Sequence, residues 1–220
     1  MDDYLSEREQ VDRIRQWWKE NGAWIIVGVG GGLLALAGWN WWQGYQLQRA
    51  EQAAAIYSVV SEAAMEERAD EVRLGLDQLE SGHSGSPYVQ HARLALAGVL
   101  ARAGDFAPAV DQLQQVLDEA DDPQLRLVAR LRMARALLAA GELDRALEMT
   151  RGGEPGVFAA ALHEVEGDVL AQQGDTAGAR AAYEAALAGA AEHPGVIDEA
   201  LLQLKLQSLG PAAAEGSEAS

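Results

Sequence analysis

The sequence contains no cysteine, so it has neither a disulfide framework nor a zinc site built on thiolates. Its four histidines are scattered, without the i, i+4 spacing that places two ligands on one face of a helix. They are His83, His91, His163 and His193. We therefore interpret the histidines as surface or capping residues, and expect no metal site.

Strand patterns are also missing. Residues branched at Cβ are sparse, and no segment alternates apolar and polar residues over the length of a strand. Alanine and leucine dominate instead. The composition predicts an all-α fold.

Basic residues are few, with 17 Lys and Arg against 34 Asp and Glu, a net charge of −17. Residues 49–220 hold 13 basic and 28 acidic residues, a net charge of −15. A surface of this sign repels a phosphate backbone, which argues against nucleic-acid binding. It disfavours anionic membrane surfaces for the same reason.

Charged residues are absent from the 28-residue run 21–48. Its apolar centre, residues 23–42, would form a helix about 30 Å long, which is the thickness of the hydrocarbon core of a bilayer. Tryptophans lie at both ends of this stretch, where the two membrane interfaces would be. They are Trp17, Trp18, Trp39, Trp41 and Trp42. The run predicts a membrane-spanning helix.

A cleaved signal peptide is the alternative, since Ala35-Leu36-Ala37 has the small-x-small form of a cleavage site. The segment before the run is long and carries six acids, whereas the corresponding region of a signal peptide is short and basic. An uncleaved anchor is the favoured interpretation.

The basic residues around the span set its expected direction. Arg8, Arg13, Arg15 and Lys19 precede the span, whereas only Arg49 follows it closely. The side richer in Lys and Arg stays in the cytoplasm. We expect a cytoplasmic segment at 1–22, a membrane helix at 23–42, one exported helical domain at 43–209 and a disordered tail at 210–220. The absence of cysteine is compatible with an exported domain.

One pattern occurs three times in the exported part: a helix of small or apolar residues, a turn of glycine followed by an acid, then an alanine and a second helix. The pairs are Gly104-Asp105, Gly141-Glu142 and Gly174-Asp175, which are 37 and 33 residues apart. Glycine suits the end of a helix because it adopts the left-handed conformation, and the acid suits the start of the next helix. This period is typical of helix-turn-helix solenoid repeats of about 34 residues.

The three copies resemble the tetratricopeptide repeat, in which paired helices A and B meet at small residues. The small residues of this sequence are Ala97, Ala109, Ala134, Ala146, Gly167, Ala179 and Ala186. Gly152-Gly153 and Pro155 should cut helix B of the second copy short. A generic alanine-rich bundle remains the alternative. Two further helices are expected before the repeats, at about 45–68 and 72–80, with a loop at 81–87.

In this repeat family the A helices line a concave face, which implies a groove for peptide segments. The candidate groove residues are Leu94, Arg102, Val128, Leu131, Arg135, Leu138, Glu164 and Asp168. Burial of leucines would supply affinity, and the arginines would meet acids or a carboxylate. The alternative is that the helix at 45–68 fills the groove, because a short array needs its ends capped.

Other patterns point away from catalysis and cofactors. The glycines at 28–32 resemble a phosphate-binding loop, but no strand precedes them and no lysine follows. Gly28 and Gly32 form a GxxxG pattern, which allows close contact between membrane helices, so they are candidate contact residues beside the alternative of a plain lipid-facing helix. No serine has the setting of a nucleophile, and no acid pair has the spacing of an acid-base site. We expect no enzyme activity and no cofactor.

The order of the motifs resembles one family. A short charged segment with Gln10-Val11-Asp12, Trp17-Trp18 and Glu20-Asn21-Gly22 precedes a glycine-rich span that ends at Gly38-Trp39. The repeat domain then carries Glu166-Gly167-Asp168, Gly174-Asp175, Gly178-Ala179-Arg180 and Tyr183-Glu184-Ala185. Over about residues 8–205 the chain closely resembles the YfgM family, the ancillary subunit of the SecYEG translocon.

This resemblance implies a single-pass protein of the bacterial inner membrane with a periplasmic domain. Its partners would be the SecYEG translocon, a periplasmic chaperone of the PpiD type and translocating polypeptides, which it would help to pass to periplasmic chaperones. A link to a stress response regulator, through the cytoplasmic segment, is also implied.

Two other functions remain open on the sequence. One is a repeat scaffold for envelope assembly that binds folded partners. The other is a regulator of an envelope-stress response that acts through residues 1–20.

Overall fold

The computed structural model describes residues 7–152, 154–191, 193 and 195–210. The regular secondary structure of these residues is all helical, which confirms the predicted fold class. The helices are α1 (Glu7–Met65), α2 (Ala69–His83), α3 (Tyr88–Arg102), α4 (Phe106–Glu119), α5 (Pro123–Ala139), α6 (Leu143–Arg151), α7 (Ala159–Gln173), α8 (Thr176–Ala190) and α9 (Glu199–Ser208). A 3-10 turn, Gly156–Phe158, precedes α7. Contacts divide the chain into two units, Met1–Gln52 and Ala53–Ser220.

The first unit contains the apolar part of α1. In the part of the chain that the structure describes, α1 is the one helix long and apolar enough to cross a membrane. Only 6% of its apolar window is buried, whereas a core helix of a globular domain would be mostly buried. Large side chains such as Trp24, Leu34 and Trp41 are exposed. These features agree with the predicted membrane helix, whose bounds at 23 and 42 stay predictions.

Helix α1 continues without a break to Met65. This continuity confirms the prediction that the apolar helix runs on into the first helix of the second unit. Ala53, Val60 and Ala63, at the C-terminal end of α1, are fully buried in the core of that unit.

The second unit is an array of helix pairs. Each helix from α2 to α9 packs against the next one along the chain, and α5 also packs against α3 and α7. The first repeat is therefore α3–α4, the second α5–α6 and the third α7–α8, with A helices α3, α5 and α7 in contact. This is the predicted solenoid arrangement.

The three glycine turns have one geometry. Gly104, Gly141 and Gly174 adopt left-handed φ angles of 86°, 78° and 85°. After each glycine, the acid donates its backbone N–H to a carbonyl five residues earlier, at 2.9 Å in all three turns. This bond ends an A helix in the Schellman pattern and turns the chain into the B helix. The side chain of Asp175 also caps α8, because it accepts a hydrogen bond from Gly178 N at 2.9 Å.

Small residues allow the paired helices to approach closely. The six alanines predicted at the A–B interfaces are almost fully buried. Gly167 is buried directly beneath the ring of Tyr183, which lies so close that a Cβ atom at residue 167 would be 2.3 Å from ring carbons. The interface therefore tolerates no larger side chain at Gly167 without movement of Tyr183.

Helix α6 is short, as predicted, with 9 residues against 14 in α4 and 15 in α8. It ends at Arg151 with Gly152 as its C-cap, while Gly153 lies outside the described residues. The buried guanidinium of Arg130 in α5 caps this end. It donates hydrogen bonds to three backbone oxygens, those of Met149 at 2.7 Å, Thr150 at 2.9 Å and Glu154 at 3.1 Å. A long-range contact thus satisfies carbonyls that a longer helix would bond itself.

Helix α2 is longer than the predicted helix at about 72–80, since it begins at Ala69 and continues to His83. The loop predicted to begin at Ser81 begins at Ser84. Ser81 lies inside this helix, and its hydroxyl donates a hydrogen bond to the backbone oxygen of Asp77 at 2.8 Å, an arrangement that a helix accommodates. The tail predicted to be disordered at 210–220 lies outside the described residues, apart from Gly210.

Candidate partner-binding pocket

The second unit contains an open pocket between the A helices of the first two repeats and the end of α1. Its volume is about 970 Å³, at the upper end of the range of ligand sites. We call it the repeat pocket. It is lined by Tyr57, Ser61, Ala64, Met65, Glu67, Leu94, Ala95, Ala97, Gly98, Ala101, Arg102, Phe106, Leu113, Arg132, Arg135, Ala136 and Ala139.

Three of the eight candidate groove residues line this pocket: Leu94, Arg102 and Arg135. Three others on α5 do not. Leu131 is 7% exposed and belongs to the hydrophobic core, and Val128 and Leu138 are half-buried against that core. The pocket face of α5 runs instead through Arg132, Arg135, Ala136 and Ala139, whose spacing of three, four and seven residues is that of one helix face.

The last two candidates, Glu164 and Asp168, face the last helix of the chain. Lys205 of α9 lies with its Nζ atom 2.8 Å from a carboxylate oxygen of each. Asp168 also accepts a hydrogen bond from the hydroxyl of Tyr183 at 2.7 Å. Leu202 of α9 is fully buried in a core cluster that includes Leu170 of α7. Helix α9 therefore covers the face that the third repeat was expected to offer to a partner.

The pKa values in this cluster follow from its burial and its hydrogen bonds. Burial alone would lower the pKa of Lys205, but the hydrogen bonds to Asp168 and Glu164 outweigh it and raise the pKa. Burial, followed by the hydrogen bond to Asp168, raises the pKa of Tyr183. Both groups therefore keep their protons, and the cluster stays intact, through the neutral range.

Helices of the chain itself occupy part of the groove, but they are not placed as the sequence-based alternative assumed. The end of α1 supplies Tyr57, Ser61, Ala64 and Met65, which form one wall of the repeat pocket and leave its volume open. Helix α9, at the opposite end of the array, covers part of the third A helix. The groove is thus closed at the third repeat and open at the first two.

The repeat pocket gathers three arginines. Arg102 pairs with Glu67 at 2.8 Å and donates a hydrogen bond to the backbone oxygen of Ala64 at 3.1 Å. Arg132 donates to the backbone oxygen of Leu94 at 3.2 Å. Burial, followed by the positive charges of Arg102 and Arg135, lowers the pKa of Arg132. A guanidinium remains protonated under all ordinary conditions, so the pocket carries concentrated positive charge.

Sequence reasoning missed Arg132, and it considered the helix at 45–68 as a helix that fills the groove and not as one of its walls. Arg132 lies three residues before Arg135, and residues at this spacing share one face of a helix. The sequence could therefore have predicted that Arg132 lines the same surface as Arg135. The contributions of Tyr57, Met65 and Glu67 depend on how α1 meets the A helices, for which the sequence has no local signal.

The remaining predicted sites stay predictions. Gly28 and Gly32 are exposed on α1, and a Cβ atom at either position would meet no other group within 4 Å. Within the described residues, no group of three or more His, Asp or Glu is placed to hold a metal ion. His91 instead lies against Tyr57, and His163 contacts Glu166 at 3.4 Å.

Comparison with known proteins identifies one family. Residues 15–211 match the tetratricopeptide repeat-like domain family. The chain is 31% identical over 185 residues to a protein of Escherichia coli (strain K12), covering 84% of this chain and 89% of the relative. It is 27% identical over 206 residues to a protein of Haemophilus influenzae, covering 93% and 98% of the two chains. No solved structure matches the chain.

A relative from Neisseria gonorrhoeae is 28% identical over 210 residues, covering 94% of this chain and 98% of the relative. All three relatives are named ancillary SecYEG translocon subunit. The matched regions include both the apolar helix and the repeats. The chain therefore belongs to the family of ancillary SecYEG translocon subunits, with a tetratricopeptide repeat-like domain.

Proposed function

We propose that the chain is a membrane-tethered, non-enzymatic interaction protein that associates with the SecYEG channel and helps to pass translocated polypeptides to periplasmic chaperones. The observation that carries the proposal is the repeat pocket, an open, partly apolar and arginine-bearing cavity in an array of a type that commonly binds peptides. The names of the relatives support the channel as the place of action.

The proposed topology is a cytoplasmic N-terminus, one span of the inner membrane and a periplasmic repeat domain. Its support is the excess of basic residues before the span. A PpiD-type chaperone is the proposed partner on the periplasmic side, and a stress response regulator is the proposed partner of the cytoplasmic segment. Both partners rest on the family resemblance.

Site-specific photo-crosslinking in intact membranes tests the proposal. Ala139 is a suitable position for the photoreactive residue, because it is exposed, lines the repeat pocket and leaves all three arginines in place. Ala181 on α8 is the matched control, since it is an exposed helical alanine outside the pocket. Trapped proteins are identified by mass spectrometry.

The expected adducts from residue 139 are translocating chains, channel subunits or a periplasmic chaperone, with few from residue 181. Adducts with mature, folded envelope proteins alone would contradict the proposal and favour an assembly scaffold. Equal adducts from both positions would show that the pocket has no special role.

A further inference from the structure

The charge of the repeat pocket is opposite to that of the chain. Four charged side chains line the pocket, namely Arg102, Arg132, Arg135 and Glu67, which gives a net charge of +2. The whole chain has a net charge of −17. Because charges separated by more than about 10 Å are screened at moderate salt, the field within the pocket is dominated by its own arginines.

The three arginines of the pocket differ in how many of their N–H donors already bond to another residue. The one carboxylate in the pocket, that of Glu67, is held by Arg102 at 2.8 Å. Arg132 uses one nitrogen on the backbone oxygen of Leu94. The guanidinium of Arg135 makes no hydrogen bond and no ion pair with any residue that the structure describes. Arg132 and Arg135, one turn apart, therefore present donors to which an external acceptor can bind.

Apolar surface adjoins these donors. Met65 at the end of α1 is 79% exposed and lines the pocket. Leu94 and Phe106 contribute further apolar wall. An exposed methionine is a flexible apolar contact that adapts to different side chains. The pocket thus combines a site for a carboxylate with a site for an apolar side chain.

We propose that the repeat pocket binds an internal segment of a partner polypeptide in which an aspartate or glutamate neighbours a large apolar residue. The carboxylate bonds to Arg132 and Arg135, and the apolar side chain packs against Met65 and Leu94. This inference rests on the proposed function, since it names the chemistry of the segment that the pocket receives. Polyanions such as nucleic acids are disfavoured because the rest of the chain repels them.

Enrichment of a random peptide library on the full-length chain tests the inference. The chain is held in lipid nanodiscs, and the peptides are displayed as internal segments, so that none has a free C-terminal carboxylate. The wild type is compared with a double variant, Arg132→Gln and Arg135→Gln. The control double variant is Arg73→Gln and Arg145→Gln, which removes the same charge from exposed pairs outside the pocket.

On the wild type and the control we expect enrichment of aspartate or glutamate beside a large apolar residue. On the Arg132/Arg135 variant this preference should be lost, and an enriched peptide should bind at least about tenfold more weakly, since the loss of even one charge-assisted hydrogen bond has that effect and the variant removes two charged donors. Replacement of the acid in that peptide by its amide should have a similar effect. The double variant Arg132→Lys and Arg135→Lys keeps both positive charges and should retain part of the preference. Such retention would show that the glutamine variant loses the preference through lost charge and not through misfolding.

Three results would overturn the inference. They are enriched peptides without acids, equal enrichment on the Arg132/Arg135 variant, and no enrichment of any internal segment on the wild type. None depends on the channel, which is absent from the assay. Failure of the crosslinking experiment alone would therefore remove the proposed function, whereas failure of the library experiment alone would remove only the chemistry assigned to the pocket.

Discussion

Lys205 connects α9 to the third repeat through Glu164 and Asp168. Its pKa in the fold is raised above the ordinary value of 10.5, so the protonated form is favoured by folding. The resulting stability is fully present below pH 10.5 and is lost as the pH rises through the raised pKa. Tyr183 acts in the same direction, because its raised pKa makes folding favour the neutral phenol.

We predict that Lys205→Met lowers the melting temperature at neutral pH and makes its fall above about pH 10 shallower than in the wild type. The reason is that the variant lacks the proton whose loss releases α9. The measurement is thermal unfolding followed by circular dichroism across the alkaline range. Lys19→Met, at an exposed position in the first unit, is the control and should retain the wild-type slope. Parallel curves for all three proteins would contradict the assignment.

Gly167 gives a second prediction for a single residue. Gly167→Ala should destabilise the protein, because a new methyl group beneath Tyr183 costs about 1–3 kcal/mol, more than the gain in helix propensity of up to about 1 kcal/mol. The ring cannot move away freely, since its hydroxyl is bonded to Asp168.

Gly98→Ala is the matched control for Gly167→Ala. A Cβ atom at Gly98 would lie 3.6 Å from Arg102 Nη1, which is ordinary van der Waals contact. This substitution should stabilise the protein by about 0.5–1 kcal/mol in urea unfolding. Equal effects of the two substitutions would show that the contact with Tyr183 does not limit the size of residue 167.

At the scale of elements, helix α6 depends on a side chain that the sequence does not mark. Arg130→Met should destabilise the second unit by about 2–4 kcal/mol, because three carbonyl oxygens near the end of α6 lose a charged donor. Hydrogen exchange should show the loss first in α6. Arg145→Met removes only an exposed pair with Glu142 and should cost less than about 0.5 kcal/mol. Unchanged exchange in α6 after Arg130→Met would refute the capping role.

The apolar part of α1 gives a second prediction for an element. Leu34→Asp with Leu36→Asp should reduce the membrane-bound fraction, since each charge at the centre of a span costs about 3 kcal/mol. Alkaline extraction of membranes measures this fraction. Leu201→Asp with Leu204→Asp, at exposed positions of α9, should leave it unchanged. Retention of the first variant in the membrane at the wild-type level would argue against the span.

Local signals in the sequence predicted most of the helices and turns. The features that were not predicted depend on contacts between residues distant in sequence. The turns at Gly104, Gly141 and Gly174 were predictable because a glycine followed by an acid, between two helical stretches, is a local signal. The start of α9 also has such a signal, since Asp198 caps it through Ala200 N and Leu201 N. Its docking depends on Lys205 meeting Glu164, 41 residues away in sequence, and no local pattern encodes that contact.

For the whole molecule, the resemblance to the repeat family predicted a groove along the A helices better than it predicted which residues line the pocket found there. Leu94, Arg102 and Arg135 line the pocket, as expected of A-helix positions. Leu131 does not, because α5 packs between α3 and α7 and this residue is buried in the core. The rotation of a helix about its own axis depends on the helices packed against it. This rotation decides that Arg132 lines the pocket while Leu131, one position earlier, is buried in the core.

Topology yields a prediction for the whole chain. Alkaline phosphatase fused to the C-terminus should be active in living cells, since it folds with disulfides only after export. Replacement of Arg13, Arg15 and Lys19 by glutamine should lower this activity, because the basic residues before the span set its direction. An inactive phosphatase fusion, together with a fluorescent cytoplasmic reporter at the same position, would reverse the proposed orientation.

The small residues between the paired helices also constrain how such a chain diverges. Where an interface is built from buried alanine and glycine, truncation removes little, whereas enlargement forces the helices apart. At these positions the upper size of the side chain, more than its chemical character, decides whether the paired helices can meet.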